Sequence, residues 1–320
     1  RPHRFYRLAA GVECRTAREL AAQIAQHWEE AREDLARGAI GNWLRHDLGE
    51  QEVPRAALEV LEIQDMDADE RLARLLAHLA PDLPPVWKQW SLAANDLAAA
   101  AQTARDGDAA SQALLLELDR IPPDILGIYA AAGNAGCQWL QSAWRAMAVE
   151  YEKTWQIALA YGMPAKARPD WAVVLAELLL ATVSPAFQAQ IQQEVRALAC
   201  RVKQPPAWLS GLQDASKHSG VALALKVVLR WLPLMDEIQR YTAPRLEVLL
   251  KKFAILHRSP DFRNALERFD QDLCDGVYES PQAVEQALDA LEQDAQALAE
   301  ILRRYYALSE QIAVNSAACP

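Results

Sequence analysis

The stretch AVEQALDALEQDAQALAEILRRYYALSEQI, Ala283 to Ile312, decides the fold. Val284, Leu288, Leu291, Ala295, Leu298, Leu302, Tyr305, Ser309 and Ile312 alternate steps of four and three. That spacing puts them on one face of a helix in unbroken heptad register. Such a face requires a partner. Either a long helix of the same chain packs along it, with residues 140–161 as the candidate, or another chain does. Leu291 and Leu298 are therefore candidate interface residues, and a homo-oligomer through this helix is one expectation.

The rest of the chain repeats the same grammar. Of its 320 residues 52% are hydrophobic, which excludes general disorder. Alanine, leucine, glutamine, glutamate and arginine dominate, and all are good helix formers. Glycine is scarce, at 12 residues. An all-α fold follows. Thr16 and Glu19 fit a capping box, and Leu20, Ile24, Trp28, Ala31 and Leu35 make one stripe to a stop at Gly38. Short helices follow from Ile40 to Leu48, ending at Gly49, and from Pro54. The next is capped by Asp67 or Asp69. The prolines at 81, 84 and 85 must end that helix, because proline lacks the N–H and clashes with the preceding turn. We place a domain boundary there. Residues 1–92 read as a small helical module and residues 93–320 as a bundle of long helices. A hairpin turning at Asp106-Gly107-Asp108 opens the bundle. Its longest early helix carries Leu140, Trp144, Met147, Tyr151, Ile157/Ala158 and Tyr161, and stops at Gly162 and Pro164. Ser-Pro pairs at 184, 259 and 280 each precede a helical pattern, as serine at N-cap and proline at N1 would.

The net charge of −10 makes nucleic acid a poor partner. It is unevenly spread. From Lys166 to Arg258 there are 13 basic and 7 acidic residues (13 − 7 = +6), and from Asp261 to Pro320 there are 4 and 12 (4 − 12 = −8). The two segments either complement each other within the fold or form separate docking surfaces. The cysteines, at 14, 137, 200, 274 and 319, have no metal-like spacing and read as reduced thiols of the cytoplasm. The opening RPHRFYRL lacks a methionine and reads as an excised or processed chain. The apolar windows Trp171–Val183 and Val221–Met235 fall short of the ~20 residues a membrane span needs, and read as buried core helices.

Reactive groups do not converge. His46-Asp47, with His27 upstream and Asp65, Asp67 and Asp96 downstream, has the residue types of a helical two-metal site. No second histidine-rich helix accompanies it, so it reads as a turn between packed helices. Ser216-Lys217-His218-Ser219-Gly220 lacks a third orienting group and reads as a helix start. No catalytic residue, cofactor-binding residue or metal ligand is expected. The ten tryptophans are numerous. Most read as core staples, but Trp87 and Trp208, close to prolines, and Trp90 are candidate exposed anchors, since tryptophan is enriched at binding hot spots.

The runs LARGAIGNWL and DADERLARLLAHLAPDLPPVW carry a resemblance. Leu35, Gly38 and Trp43-Leu44, then Leu79, Pro81, Leu83, Pro84 and Pro85, resemble a helical accessory region of large bacterial multidomain proteins. That region follows serine/threonine-kinase or chaperone-ATPase modules. The resemblance covers about the first third of the chain and transfers no functional residue. It implies a non-catalytic interaction or regulatory segment of a signalling or defence protein, holding a protein partner or an attached enzyme domain. The alternative from the residues is an all-helical enzyme or small-ligand binder with its site inside the bundle.

Overall fold

The computed structural model describes the chain except residues 1–4, 9–10, 49–52, 64, 203–204, 275–276, 279 and 318–320. The side chains at 213–214, 239, 274 and 310–317 are also outside the description. Gly49 and Cys319 thus lie outside the described residues. The protein is all-α. Among the described residues the strands are four two-residue segments: β1 (Tyr6–Arg7) with β2 (Glu13–Cys14), and β3 (Val86–Trp87) with β4 (Trp90–Ser91), both antiparallel.

Local chemistry accounts for most boundaries. The helix α1 (Ala17–Gln26) starts where the Thr16 hydroxyl accepts from the Glu19 N–H at 3.1 Å. The Glu19 carboxylate reaches back to the Arg15 N–H, one residue before the position a capping box uses. The expected single helix is broken at His27 (φ −127°, ψ 56°), and α2 (Trp28–Ala36) continues the same stripe. Leu20, Ile24, Trp28, Ala31 and Leu35 are all buried, so the break does not disturb the apolar face. Gly38, at φ +78°, takes the left-handed turn that a side chain would strain, and leads into α3 (Ala39–Asn42) and a π-helical turn, Trp43–Leu48. After α4 (Arg55–Glu62), Asp67 rather than Asp69 caps α5 (Ala68–Leu79), accepting from the N–H groups of Asp69 and Glu70.

The expected hairpin is α6 (Ala94–Arg105) and α7 (Ala109–Asp119), with Gly107 at φ +101° and Asp108 capping α7 through the Ser111 N–H. Then come α8 (Ile125–Ala131), α9 (Ala135–Ala160) and α10 (Trp171–Val183). The Ser-Pro pairs open α11 (Pro185–Ala199), α14 (Pro260–Cys274) and α15 (Pro281–Ala317), and the hydroxyls of Ser184 and Ser280 accept from the N–H of the third helical residue, Phe187 and Ala283. Between them lie α12 (Ala207–Asp214) and α13 (Ser219–Lys252). The latter holds Pro233 and Pro244 inside it, each deleting one backbone bond.

The chain forms two compact units, the first comprising residues 1–151, 170–190 and 218–220, the second 152–169, 191–217 and 221–320. Residue 92 lies inside the first unit, so the compact units do not divide at the Pro81–Pro85 stop. The reason is a set of contacts across it. Tyr129 of α8 donates its hydroxyl to the Val86 carbonyl and accepts from the Val86 N–H, while Trp87 reaches Glu117 of α7. In this unit α10 packs on α6 and α7. It is apolar apart from Glu177 and Thr182, and nine of its residues are buried, as expected of a helix enclosed on most sides. Trp144 donates to the Leu175 carbonyl at 3.2 Å, and Trp171 to Asp119 at 2.9 Å. Among the described residues no single helix is long and apolar enough to cross a membrane.

In the second unit α14 and the 3-10 turn Ala254–Arg258 pack on α15. The core there joins Ile238, Leu249 and Phe253 of the α13 end, Leu256, Phe262 and Phe269, with Val284, Leu288, Leu291, Ala295 and Ala299. Two ion pairs flank it: Arg245 with Asp289 at 2.7 Å and Lys252 with Glu292 at 2.6 Å. Here the basic and acidic segments of the sequence do meet within the fold.

Candidate interaction surfaces

The five candidate interface residues fall in three places. Trp87 and Trp90 flank a two-residue turn, Lys88-Gln89, in the first unit. Trp87 is buried, which corrects the expectation of an exposed anchor. Its indole N–H donates to Glu117 at 2.6 Å, and its ring meets Trp28 edge-on at 5.8 Å. Trp28 in turn donates to Asp69 at 2.8 Å. Lys88 closes the cluster with its ammonium 2.9 and 3.0 Å from the two Glu117 oxygens. Burial pushes the Glu117 carboxyl up, but the hydrogen bonds from Trp87 and Lys88 outweigh it and hold the group below its ordinary range. Lys88 sits at φ +54°, the one described non-glycine residue with a positive φ. That region costs an L-residue about 1–2 kcal/mol, and the turn would ordinarily take glycine or asparagine. The lysine is explained by what its side chain does: it neutralises Glu117 beside two tryptophans. Trp90 is half-buried on the neighbouring strand. This site is a staple, not a free surface. Sequence reasoning missed Trp28, Asp69, Lys88 and Glu117, although a lysine in a turn between two tryptophans was a visible signal.

Leu291 is buried in the second unit's core and Leu298 is half-buried against it. The first half of the heptad face is therefore satisfied within the chain. Leu302 is still half-buried against that core, Tyr305 and Ser309 of the same face are exposed, and so are Ile301, Tyr306 and Leu308, which stand beside it. Ile301 is 63% exposed, Tyr305 66%, Tyr306 55% and Leu308 59%. Ile301, Tyr305 and Leu308 recur at i, i+4 and i+7 and share one face. The apolar surface available for docking thus begins one turn beyond the residues the sequence singled out.

Trp208 is half-buried in the second unit and stacks on Tyr161, centroids 5.1 Å apart and planes 5° from parallel. Tyr161 does not face the core as the α9 stripe predicts. Leu140, Trp144, Tyr151 and Ala158 of that stripe are buried as expected, joined by Cys137, Thr154 and Trp155.

His46 is exposed and Asp47 half-buried at the π-helical turn. Asp67 is occupied as a helix cap. Among the described residues no three His, Cys, Asp or Glu side chains are grouped to hold a metal ion. Cys14 and Cys137 are buried free thiols, and burial pushes Cys137 up to about 11, away from the thiolate a nucleophile needs. Cys200 is exposed and free. No family model, curated protein or solved structure matches the chain.

Proposed function

We propose that this chain is a non-catalytic helical interaction module, and that the distal end of α15 pairs with a second copy of the chain. The observation that carries the proposal is the exposure of Ile301, Tyr305, Tyr306 and Leu308 on a helix whose earlier turns are packed. A tyrosine buries about 150–250 Å² when enclosed. The two tyrosines then leave on the order of 200 Å² uncovered per copy, and Ile301 and Leu308 roughly double it. A symmetric pair would remove about 800 Å² in all, the size of a weak, reversible contact.

Charge favours self-pairing at this end. Residues 281–299 carry Glu285, Asp289, Glu292 and Asp294 with no lysine or arginine; Arg245 and Lys252 pair with Asp289 and Glu292, so the repulsion of a second copy there rests on Glu285 and Asp294. Residues 300–310 carry Glu300, Arg303, Arg304 and Glu310, which sum to zero (2 − 2 = 0). An antiparallel approach of two such ends sets neutral against neutral and keeps the acidic halves apart. The resemblance of the first third adds the setting: a regulatory segment of a larger bacterial signalling or defence protein in the cytoplasm, where pairing would bring two attached domains together.

Sedimentation equilibrium tests the pairing. The chain should dimerise between micromolar and millimolar concentration. Tyr305→Glu with Leu308→Glu should leave it monomeric with an unchanged circular dichroism spectrum, since both positions are exposed. A wild-type chain that stays monomeric into the millimolar range refutes the proposal.

A further inference from the structure

A cavity of about 250 Å³ lies in the second unit, at the C-terminal end of α9. Its walls include the stacked Tyr161 and Trp208, the Met163, Leu232 and Met235 side chains, and Asp236. We propose that this cavity binds a quaternary ammonium group, carried by a small molecule or by a trimethylated lysine side chain.

The argument is electrostatic first. Tyr161 is 62% exposed although it is aromatic and stacked. One ring face is taken by Trp208, and the stack as a whole presents the negative face of a π-system, which attracts a cation within about 6 Å. Asp236 adds a full negative charge. Its ion pair is with Arg240 at 3.4 Å, where both side chains are more than half exposed, and such a pair is easily exchanged. The third contribution is α9 itself. Its 26 residues end at this wall, so the negative end of the helix dipole points there. Among the described residues no lysine or arginine lines the cavity. Arg201 and Arg240 line a neighbouring cavity of about 310 Å³ that shares Val202 and Asp236 with this one.

Chemistry then narrows the cation. A lysine ammonium has three N–H donors and a guanidinium has five, and each must find an acceptor when it leaves water. Among the described residues this wall is thioether, aliphatic and aromatic, with Asp236 as its one carboxylate. A quaternary ammonium has no N–H to satisfy. Its methyl groups suit the methionines and leucine, while its diffuse charge suits the ring and the carboxylate. A neutral ligand of the same shape gains nothing from the ring face or the carboxylate.

This site is independent of the pairing surface on α15. The test uses the whole chain labelled with ¹⁵N-tryptophan, the Trp208 indole signal being assigned by Trp208→Phe. Choline should move that signal saturably at millimolar concentration. Its neutral isostere 3,3-dimethylbutan-1-ol should not. Asp236→Asn should weaken choline about three- to fivefold and Tyr161→Leu by at least as much, and both positions are exposed enough to leave the fold intact. Arg240→Ala should tighten binding, because it frees Asp236. A short peptide with trimethyllysine separates the two sources. Saturation by choline alone assigns a free small molecule, and saturation by the peptide at lower concentration assigns a modified protein. An equal response to the neutral isostere, no response to either ammonium probe, or an Asp236→Asn variant that binds choline as the wild type does would each overturn the proposal.

Discussion

Removing the Glu117 carboxylate measures how much the tryptophan–lysine staple contributes to the first unit. Glu117 accepts from the buried Trp87 indole at 2.6 Å and from Lys88 at 2.9 Å. Glu117→Ala leaves the indole N–H without its acceptor, which costs about 1–3 kcal/mol. It also removes a one-third-exposed ion pair worth about 0.5–1 kcal/mol. The expected loss is therefore roughly 2–4 kcal/mol. Glu117→Gln keeps a carbonyl acceptor for the indole and loses the charge, so it should cost only about 1 kcal/mol. Urea denaturation followed by circular dichroism reads both, and a cycle with Lys88→Ala isolates the ion pair. The pH dependence has a definite sign. Glu117 ionises below its ordinary range in the folded protein, so its contribution is present above that range and is lost as pH falls through the folded value. Glu117→Gln should lack this acid-side loss. If Glu117→Ala costs less than about 0.5 kcal/mol, or if alanine and glutamine are equivalent, then the indole bond is not what holds the hairpin and the reasoning fails.

Three further outcomes follow from particular contacts. Lys88→Gly relieves a positive φ worth about 1–2 kcal/mol while losing the ion pair; it should be at least as stable as wild type in urea, whereas Lys88→Ala should be less stable. A Cβ on Gly220 would stand 2.3 Å from the Met147 carbonyl oxygen. Gly220→Ala should therefore cost about 1–3 kcal/mol by forcing the start of α13 off α9, and a melting temperature at or above wild type would contradict that. Leu288→Ala empties a fully packed position of the second unit's core and should cost about 2–5 kcal/mol. Tyr305→Ala, six turns into the helix but exposed, should change stability by less than about 0.5 kcal/mol.

The helical character of the chain was legible in residue spacing, and so were most starts and stops. Thr16, Asp108 and the Ser-Pro pairs act through bonds to backbone groups two or three residues away, and Gly38 and Gly107 through their own φ. Such effects are local and travel with the sequence. Tertiary structure decided what each apolar face meets, because burial joins residues remote along the chain. Trp87 and Trp208 look alike in sequence, each near proline at the edge of a helix. One is enclosed because Trp28 and Glu117 converge on it from 59 positions before and 30 after (87 − 28 = 59; 117 − 87 = 30), and the other stays half-open beside Tyr161. The heptad stripe of α15 is continuous in sequence, yet it is covered only as far as α13 and α14 reach. Periodicity states that a face is apolar; only the packed chain determines where the cover ends.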